Sequence, residues 1–284
     1  MKEKISKQFR YYFLGLLLLT AIFVWYAVFK EERRGLEVDF LDVGQGDAIF
    51  IQAPNGNQIL LDSGPNKKVL TELSKVMPFY DRSLDMIIES HPDNDHIAGF
   101  VDVLKKYNVS AVVESGVETN TPVYQGLKNI IKEKNIQKIL AKRGMRINLG
   151  DGIYLDILLP IVNNPNFSPH DGMVVLKLNY GQNSFMLTGD MENKMEKYLI
   201  SIDDNLTSDV LKIGHHGSKT STSETFLGYV NPEYAVISVG QDNKYGHPNQ
   251  EILDRLNQFG IPIFRTDEKG TIKIASDGES LHID

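Results

Sequence analysis

The segment Ser90-His91-Pro92-Asp93-Asn94-Asp95-His96 constrains this chain more than any other part of it. It follows an apolar stretch read as a strand (84–89) and precedes one read as a helix (97–107), so four side chains able to ligate a metal fall within six residues on one loop. A strand or a helix could not turn all four toward a common centre; an irregular loop on a rigid scaffold can. Three further polar clusters follow apolar runs. Phe185-Met186-Leu187 leads into Thr188-Gly189-Asp190, and Val210-Leu211-Lys212-Ile213 leads into Gly214-His215-His216-Gly217-Ser218. Ala235-Val236-Ile237-Ser238-Val239 leads through Asn243, Lys244 and Tyr245 to His247. Five of the seven histidines (91, 96, 215, 216 and 247) therefore lie just beyond strands, a pattern natural to a binuclear metal site.

The chain has 284 residues and no cysteine, which removes thiolate nucleophiles, redox pairs, zinc fingers and iron–sulfur ligation together. Any metal must be held by His, Asp or Glu. A composition of 42% hydrophobic and 24% charged residues excludes whole-chain disorder and collagen-like or disulfide-framed architectures.

Residues 11–29 contain no charged residue and are flanked by Arg10 and Lys30. A helix of that length spans about 28 Å, close to the hydrocarbon core of a bilayer. Tyr11 and Tyr12 at one end and Trp25 and Tyr26 toward the other suit the two interfaces. The expectation is an uncleaved single-pass anchor, with residues 1–10 cytoplasmic, a linker at 30–35, and an extracytoplasmic domain over 36–284. That domain reads as short strands at 36–43, 48–53 and 58–61, joined by an Asn55-Gly56 hairpin, and then as alternating helices and strands. A hairpin near 261–274 is predicted to close it. Such a pattern gives mixed sheets covered by helices on their outer faces.

The segments FLDVGQGDA (40–48), LLDSG (60–64), SHPDNDHIAG (90–99), FMLTGD (185–190), KIGHHGSKTSTS (212–223) and VISVGQDNKYGHP (236–248) together resemble the metallo-β-lactamase superfamily. Within it they are most similar to the metal-hydrolase domain of ComEC-type competence proteins for DNA uptake. The resemblance implies a four-layer αββα sandwich of α/β (α+β) class, preceded here by one transmembrane helix, with two divalent ions (Zn²⁺ or Mn²⁺) at one edge of the sheets. It places metal ligands at His91, Asp93, Asp95, His96 and Asp190, with Asp190 bridging, and at His247 and His215. His216 is then a proton donor or a neighbour of the ligands, and His170 lies where other members carry a further ligand. Asp93 stands where the superfamily usually has histidine. Its carboxylate makes the first metal position richer in oxygen, which favours harder ions.

The reaction implied is metal-assisted hydrolysis carried by Asp95, Asp190 and His216, with whichever of His215 and His216 is not a ligand protonating the leaving alkoxide. Asp47 and Asp62 are expected beside the ligand loop as hydrogen-bonding support. Ser221 and Glu224 have capping-box spacing, so Ser218, Lys219 and Ser221 are candidate phosphate contacts at a helix N-terminus. Asn243 and Tyr245 are candidate contacts on the rim.

Charge bears on the substrate. Residues 1–35 hold seven Lys/Arg against three Asp/Glu, a net of +4, so the formal −7 of the whole chain leaves −11 for the rest. Such acidity argues against a general nucleic-acid binder. The basic stretch 128–146 is where a nucleic-acid backbone would lie. The resemblance points first to a phosphodiesterase or nuclease acting on extracytoplasmic, single-stranded DNA, with a separate channel protein as partner. The alternatives are a hydrolase of a phosphorylcholine-type envelope ester or a small-molecule ester, and a non-catalytic binding domain.

Overall fold

A computed structural model describes residues 2–31, 35–160, 169–203 and 205–284, and divides the chain into two compact units at Arg34/Gly35. The first unit is helix α1 (Lys2–Glu31). Its stretch Gln8–Tyr26 has a mean hydropathy of 1.5 and is exposed throughout, so this helix is long and apolar enough to cross a membrane.

The second unit is built on two sheets. Strands β1 (Leu36–Phe40), β2 (Ile49–Gln52), β3 (Gln58–Leu61), β4 (Ser83–Ile88), β5 (Asn108–Glu114) and β6 (Gln137–Leu140) belong to the first. Strands β7 (Arg146–Gly150), β8 (Ile153–Leu159), β9 (Val175–Tyr180), β10 (Asn183–Leu187), β11 (Val210–Lys212), β12 (Tyr234–Ile237) and β13 (Ile263–Arg265) form the second. The last two strands, β14 (Ile272–Ser276) and β15 (Leu281–Ile283), return to the first sheet. Among the described residues the orders are β15-β14-β1-β2-β3-β4-β5-β6 and β13-β12-β11-β10-β9-β8-β7. The Asn55-Gly56 hairpin joins β2 to β3 as its turn chemistry requires. The hairpin expected near 261–274 does not form. Strand β13 pairs in parallel with β12 while β14 pairs with β1 in the other sheet, and helix α9 (Thr266–Lys269) carries the chain across.

The strands are apolar on both faces because both faces are covered. In β2, Ile49 and Ile51 point between the sheets, where Phe40, Leu61, Ile88, Leu176, Phe185 and Leu187 also meet. Phe50, one position out of phase, packs outward under α2 (Lys68–Val76), α4 (Phe100–Lys106) and α5 (Pro122–Glu133). Met186, Leu211 and Ile237 on the second sheet likewise lie under α6 (Asn193–Ile202), α7 (Glu224–Val230) and α8 (Gln250–Gln258). The result is the expected helix–sheet–sheet–helix sandwich. The helix read over 97–107 is two pieces, α3 (Asn94–Ile97) and α4, with α3 beginning inside the ligand loop.

Strands β1, β3 and β4 run in one direction, and so do β10, β11 and β12. The loops that leave their C-terminal ends carry the polar clusters, so the fold brings them to one edge of the sandwich.

Candidate metal centre

Asp190, at the turn after β10, faces two groups of donors with its two oxygens. On the Oδ1 side, one ligand atom from each of Asp95, His96, Asp190 and His216 lies within 4.8 Å of the others. His96 Nε2 is 3.3 Å and His216 Nε2 3.6 Å from Asp190 Oδ1, and His216 Nε2 is 3.5 Å from Asp95 Oδ2. On the Oδ2 side stand His91 Nε2 at 3.9 Å and His215 Nε2 at 3.7 Å, with Asp93 Oδ2 3.6 Å from His91 Nε2. A cleft of about 420 Å³ opens on that second side, lined by His91, Asp93, Asp190 and His215 with Glu192 and Met195.

Each imidazole is held by its other nitrogen. His96 Nδ1 meets Asp62 Oδ2 at 2.8 Å, and the same carboxylate accepts from the Ser90 backbone N–H and hydroxyl. His216 Nδ1 donates to the Ser238 carbonyl at 2.8 Å, His91 Nδ1 meets Ser90 Oγ at 3.0 Å, and His215 Nδ1 meets Glu192 Oε1 at 3.2 Å. Partners of this kind fix the tautomer and aim Nε2 at the centre. Lys212, fully buried on β11, pairs with Asp47 and donates to the Gly189 carbonyl at 2.9 Å, while Asp47 Oδ1 lies 3.4 Å from His216 Nδ1.

The backbone of this edge is unusual. His215 and His216 both have left-handed conformations (φ 47° and 53°), which sends two neighbouring rings to opposite sides of Asp190. Gly217 follows at φ 83°, and a Cβ there would lie 2.6 Å from the Pro248 Cβ, so only glycine lets the two loops touch. At Gly46 a Cβ would meet the Asp95 carbonyl oxygen at 2.1 Å.

The electrostatics favour a cation. Burial opposes charge on Asp190, yet the facing His216 and His96 outweigh it and hold the carboxyl well below the ordinary range. Burial opposes charge on His96 and His216 as well. Asp190 and Asp62 nevertheless raise the first well above its usual value, and Asp190 and Asp47 push the second up to about 9. His91 is driven down by burial and by His96. His96 Nε2, His216 Nε2 and Asp190 Oδ1 are buried and lack a hydrogen-bond partner among the described residues. Orphaned atoms of this kind, all aimed at one point, are costly in a folded protein unless something satisfies them. Two divalent ions fit this donor set.

The remaining expected site residues are placed as follows. His247 stays outside the convergent donors. It lies beside His215 (ring centroids 5.9 Å), stacks on Tyr245, and has a buried Nδ1 without a hydrogen-bond partner among the described residues. His216, expected beside the ligands, occupies the inner group instead. Ser221 does not face the cleft: it is fully buried and donates to the Gly214 and Ser218 carbonyls. The α7 cap is Ser223, and Glu196 takes the Thr222 and Ser223 backbone N–H groups that a phosphate was expected to meet. Asn243 spends its amide on the Gly240 and His247 carbonyls and so shapes its own loop. Ser218 is largely buried against Thr220, whereas Lys219 and Tyr245 are exposed. His170 lies in the short 3₁₀ turn Pro169–Gly172, and its side chain falls outside the described residues. Lys212, Glu192, Ser90 and Ser238 were missed. The one available signal was Lys212 itself, a charge inside an otherwise apolar run.

A profile described as Metallo-beta-lactamase superfamily matches residues 41–241. The chain is 33% identical over 254 residues to "ComE operon protein 3" of Bacillus subtilis, covering 84% of this chain and 32% of that protein. It is 31% identical over 263 residues to "Competence protein ComA" of Neisseria gonorrhoeae, covering 90% and 35%. The chain thus spans about a third of the length of these curated relatives. Among solved structures, the metallo-beta-lactamase fold protein YhfI from Bacillus subtilis superposes with a TM-score of 0.56 at 11% identity, over 85% of this chain and 100% of that one. Igni18, a metallo hydrolase from Ignicoccus hospitalis, gives 0.54 at 13% identity, over 84% and 98%. At these identities the two structures speak to the fold.

Proposed function

The chain belongs to the metallo-beta-lactamase superfamily, and from that premise we propose that it is a membrane-anchored, binuclear-metal phosphodiesterase or nuclease acting outside the cytoplasm. The observation that carries this reading is the pair of donor groups on the two oxygens of Asp190. His91, Asp93, His215 and Asp190 Oδ2 would hold one ion; Asp95, His96, His216 and Asp190 Oδ1 would hold the other. When bound, such ions supply Lewis-acid activation of water and of the ester oxygens.

The chain's own groups do the rest. Asp62, Glu192 and the Ser238 carbonyl orient the imidazoles, and Asp47 with Lys212 fixes the floor. His247 lies beside the ligands without joining them, and burial with the neighbouring His215 lowers its pKa. With that lowered pKa the ring rests neutral, and it is the imidazole left to take a proton from the attacking water and pass it to the leaving alkoxide. Met195 and Met173 give the cleft an apolar wall against which a sugar or a short chain can lie.

DNA is the first substrate we propose, supported by the competence relative, with a separate channel protein as partner and α1 as the anchor. A second reading has its own support. Glu192 lines the cleft with Asp171, whose carboxylate pairs with Lys194, and this mixed, acid-bearing wall suits a zwitterionic ester such as phosphorylcholine better than a polyanion. The test is hydrolysis by the full chain in detergent, loaded in turn with Mn²⁺ and Zn²⁺. Substrates are single-stranded DNA, bis-nitrophenyl phosphate and nitrophenyl-phosphorylcholine, with Asp95→Ala as control. Cleavage of DNA and the synthetic diester supports the first reading, and turnover of the choline ester alone supports the second. Absence of metal binding ends both.

A further inference from the structure

The end of the sandwich opposite the metal loops carries a feature that the reaction does not use. Strands β1, β3 and β4 start there, so the polypeptide enters the domain at Leu36 on the same end that bears the turn before Ser83. Three strand spacings, about 14 Å, separate the two across the sheet. That turn reads Pro78-Phe79-Tyr80-Asp81-Arg82, and it presents Phe79 at 84% and Tyr80 at 59% exposure. Outside α1, Phe79 is the most exposed large hydrophobic side chain among the described residues, and the two rings touch edge to face at 5.4 Å.

The display is built into the turn. The Asp81 N–H donates to the Pro78 carbonyl, Asp81 Oδ1 accepts from the Ser83 N–H and hydroxyl, and Asp81 Oδ2 accepts from Gln58 at 2.8 Å. The base is thus pinned while the aromatic tip points away from the core. Two adjacent aromatics are thus left largely in water. Beside the tip is a cleft lined by Arg82 and Lys106 with Thr71, Ser74 and Tyr107, which offers two cations and three hydroxyls, the Tyr107 one accepting from Arg82.

We propose that the Phe79–Tyr80 tip seats in the interfacial layer of a lipid bilayer, with Arg82 and Lys106 against headgroup phosphates, so that the metal edge faces away from the membrane. This rests on reading α1 as an anchor. The stretch Gln8–Tyr26 ends ten residues before Leu36, and this is the end of the domain at which the chain enters. Aromatic rings of this kind favour the boundary between hydrocarbon and headgroups. The acidity of residues 36–284 argues for zwitterionic rather than anionic lipid as the surface met.

The test uses the full chain reconstituted in phosphatidylcholine vesicles, with and without lipid brominated on its acyl chains. Trp25 is the single tryptophan, so the wild type reports on the anchor. The double variant Trp25→Phe/Phe79→Trp reports on the tip, and Trp25→Phe/Tyr245→Trp reports on the metal edge. The expected result is quenching of Trp25, and for the Phe79→Trp reporter both quenching and emission at shorter wavelength than the Tyr245→Trp reporter, which brominated lipid leaves unquenched. If Trp25 is quenched while the Phe79→Trp reporter behaves like the Tyr245→Trp one, the tip does not meet lipid and the proposal fails alone. If Trp25 is itself unquenched, the anchor reading fails and takes this proposal with it.

Discussion

Lys212 and Asp47 form an ion pair beneath the metal edge, with the lysine fully buried and its ammonium also held by the carbonyl of Gly189, the residue before Asp190. The pair links three segments: the loop after β1, the loop after β10, and the strand that leads into His215 and His216. Asp47, Asp62, Asp93, Asp95 and Asp190 carry five negative charges; one ammonium and two divalent ions would bring the cluster to neutrality.

Replacing Lys212 with methionine keeps the volume and strands a buried carboxylate. Breaking one partner of a buried pair costs roughly 3–5 kcal/mol, whereas replacing both partners by apolar groups is often neutral. Urea unfolding is therefore expected to show Lys212→Met strongly destabilised and Lys212→Met/Asp47→Leu largely recovered. Calorimetric titration should find the double variant still weakened in metal affinity. A single variant as stable as the wild type would remove the role assigned to the pair.

Metal stoichiometry separates His215, His216 and His247. His215→Ala and His216→Ala are each expected to lower the bound metal measured by atomic emission from about two ions per chain to about one. His247→Ala should retain both ions and lose about 10²- to 10⁴-fold in kcat, the usual weight of a proton donor. Loss of metal in His247→Ala would return that residue to the ligands.

Asp62 meets His96 Nδ1 at 2.8 Å, and the role we propose for it is to hold that ring. Asp62→Asn leaves a hydrogen-bonding group beside Nδ1 and removes the charge that fixes the ring, so metal affinity is expected to fall about 10- to 100-fold with the fold intact. Competition with a chromogenic chelator measures the loss, and circular dichroism checks the fold. An unchanged affinity would show that Ser90 and packing alone hold the imidazole.

The ligand loop was legible because its four donors are nearly contiguous, and the sandwich was legible because strands such as β2 are apolar on both faces. What escaped was set by backbone geometry that residue types do not encode. His215 and His216 are neighbours, and two consecutive left-handed residues decide that both rings face Asp190 from opposite sides. From residue type alone Asn243 and Ser221 suit substrate contacts, yet both side chains satisfy their own loops, a choice that short polar residues make according to local turn geometry. Lys212 stood in plain view within an apolar strand. Its burial became evident only with Asp47 brought across from a segment more than 160 residues earlier.

Glu89, next to the ligand loop at the end of β4, gives a pH dependence with a definite sign. Burial, with Glu114 nearby, pushes its carboxyl up to about 8 from an ordinary 4.5, against a hydrogen bond from Ser115. The folded protein therefore keeps a proton that the unfolded chain releases near 4.5. Between those values the unfolded state binds fewer protons, so this group makes stability fall as pH rises through the window and level off above about 8. Glu89→Gln keeps the shape and removes the titration. Unfolding of the metal-loaded protein, followed from pH 5 to pH 9, is expected to show the variant gaining on the wild type as pH rises, with the gap widest at the alkaline end. Parallel profiles for the two proteins would mean that Glu89 is ionised in the fold, held by a partner other than Ser115.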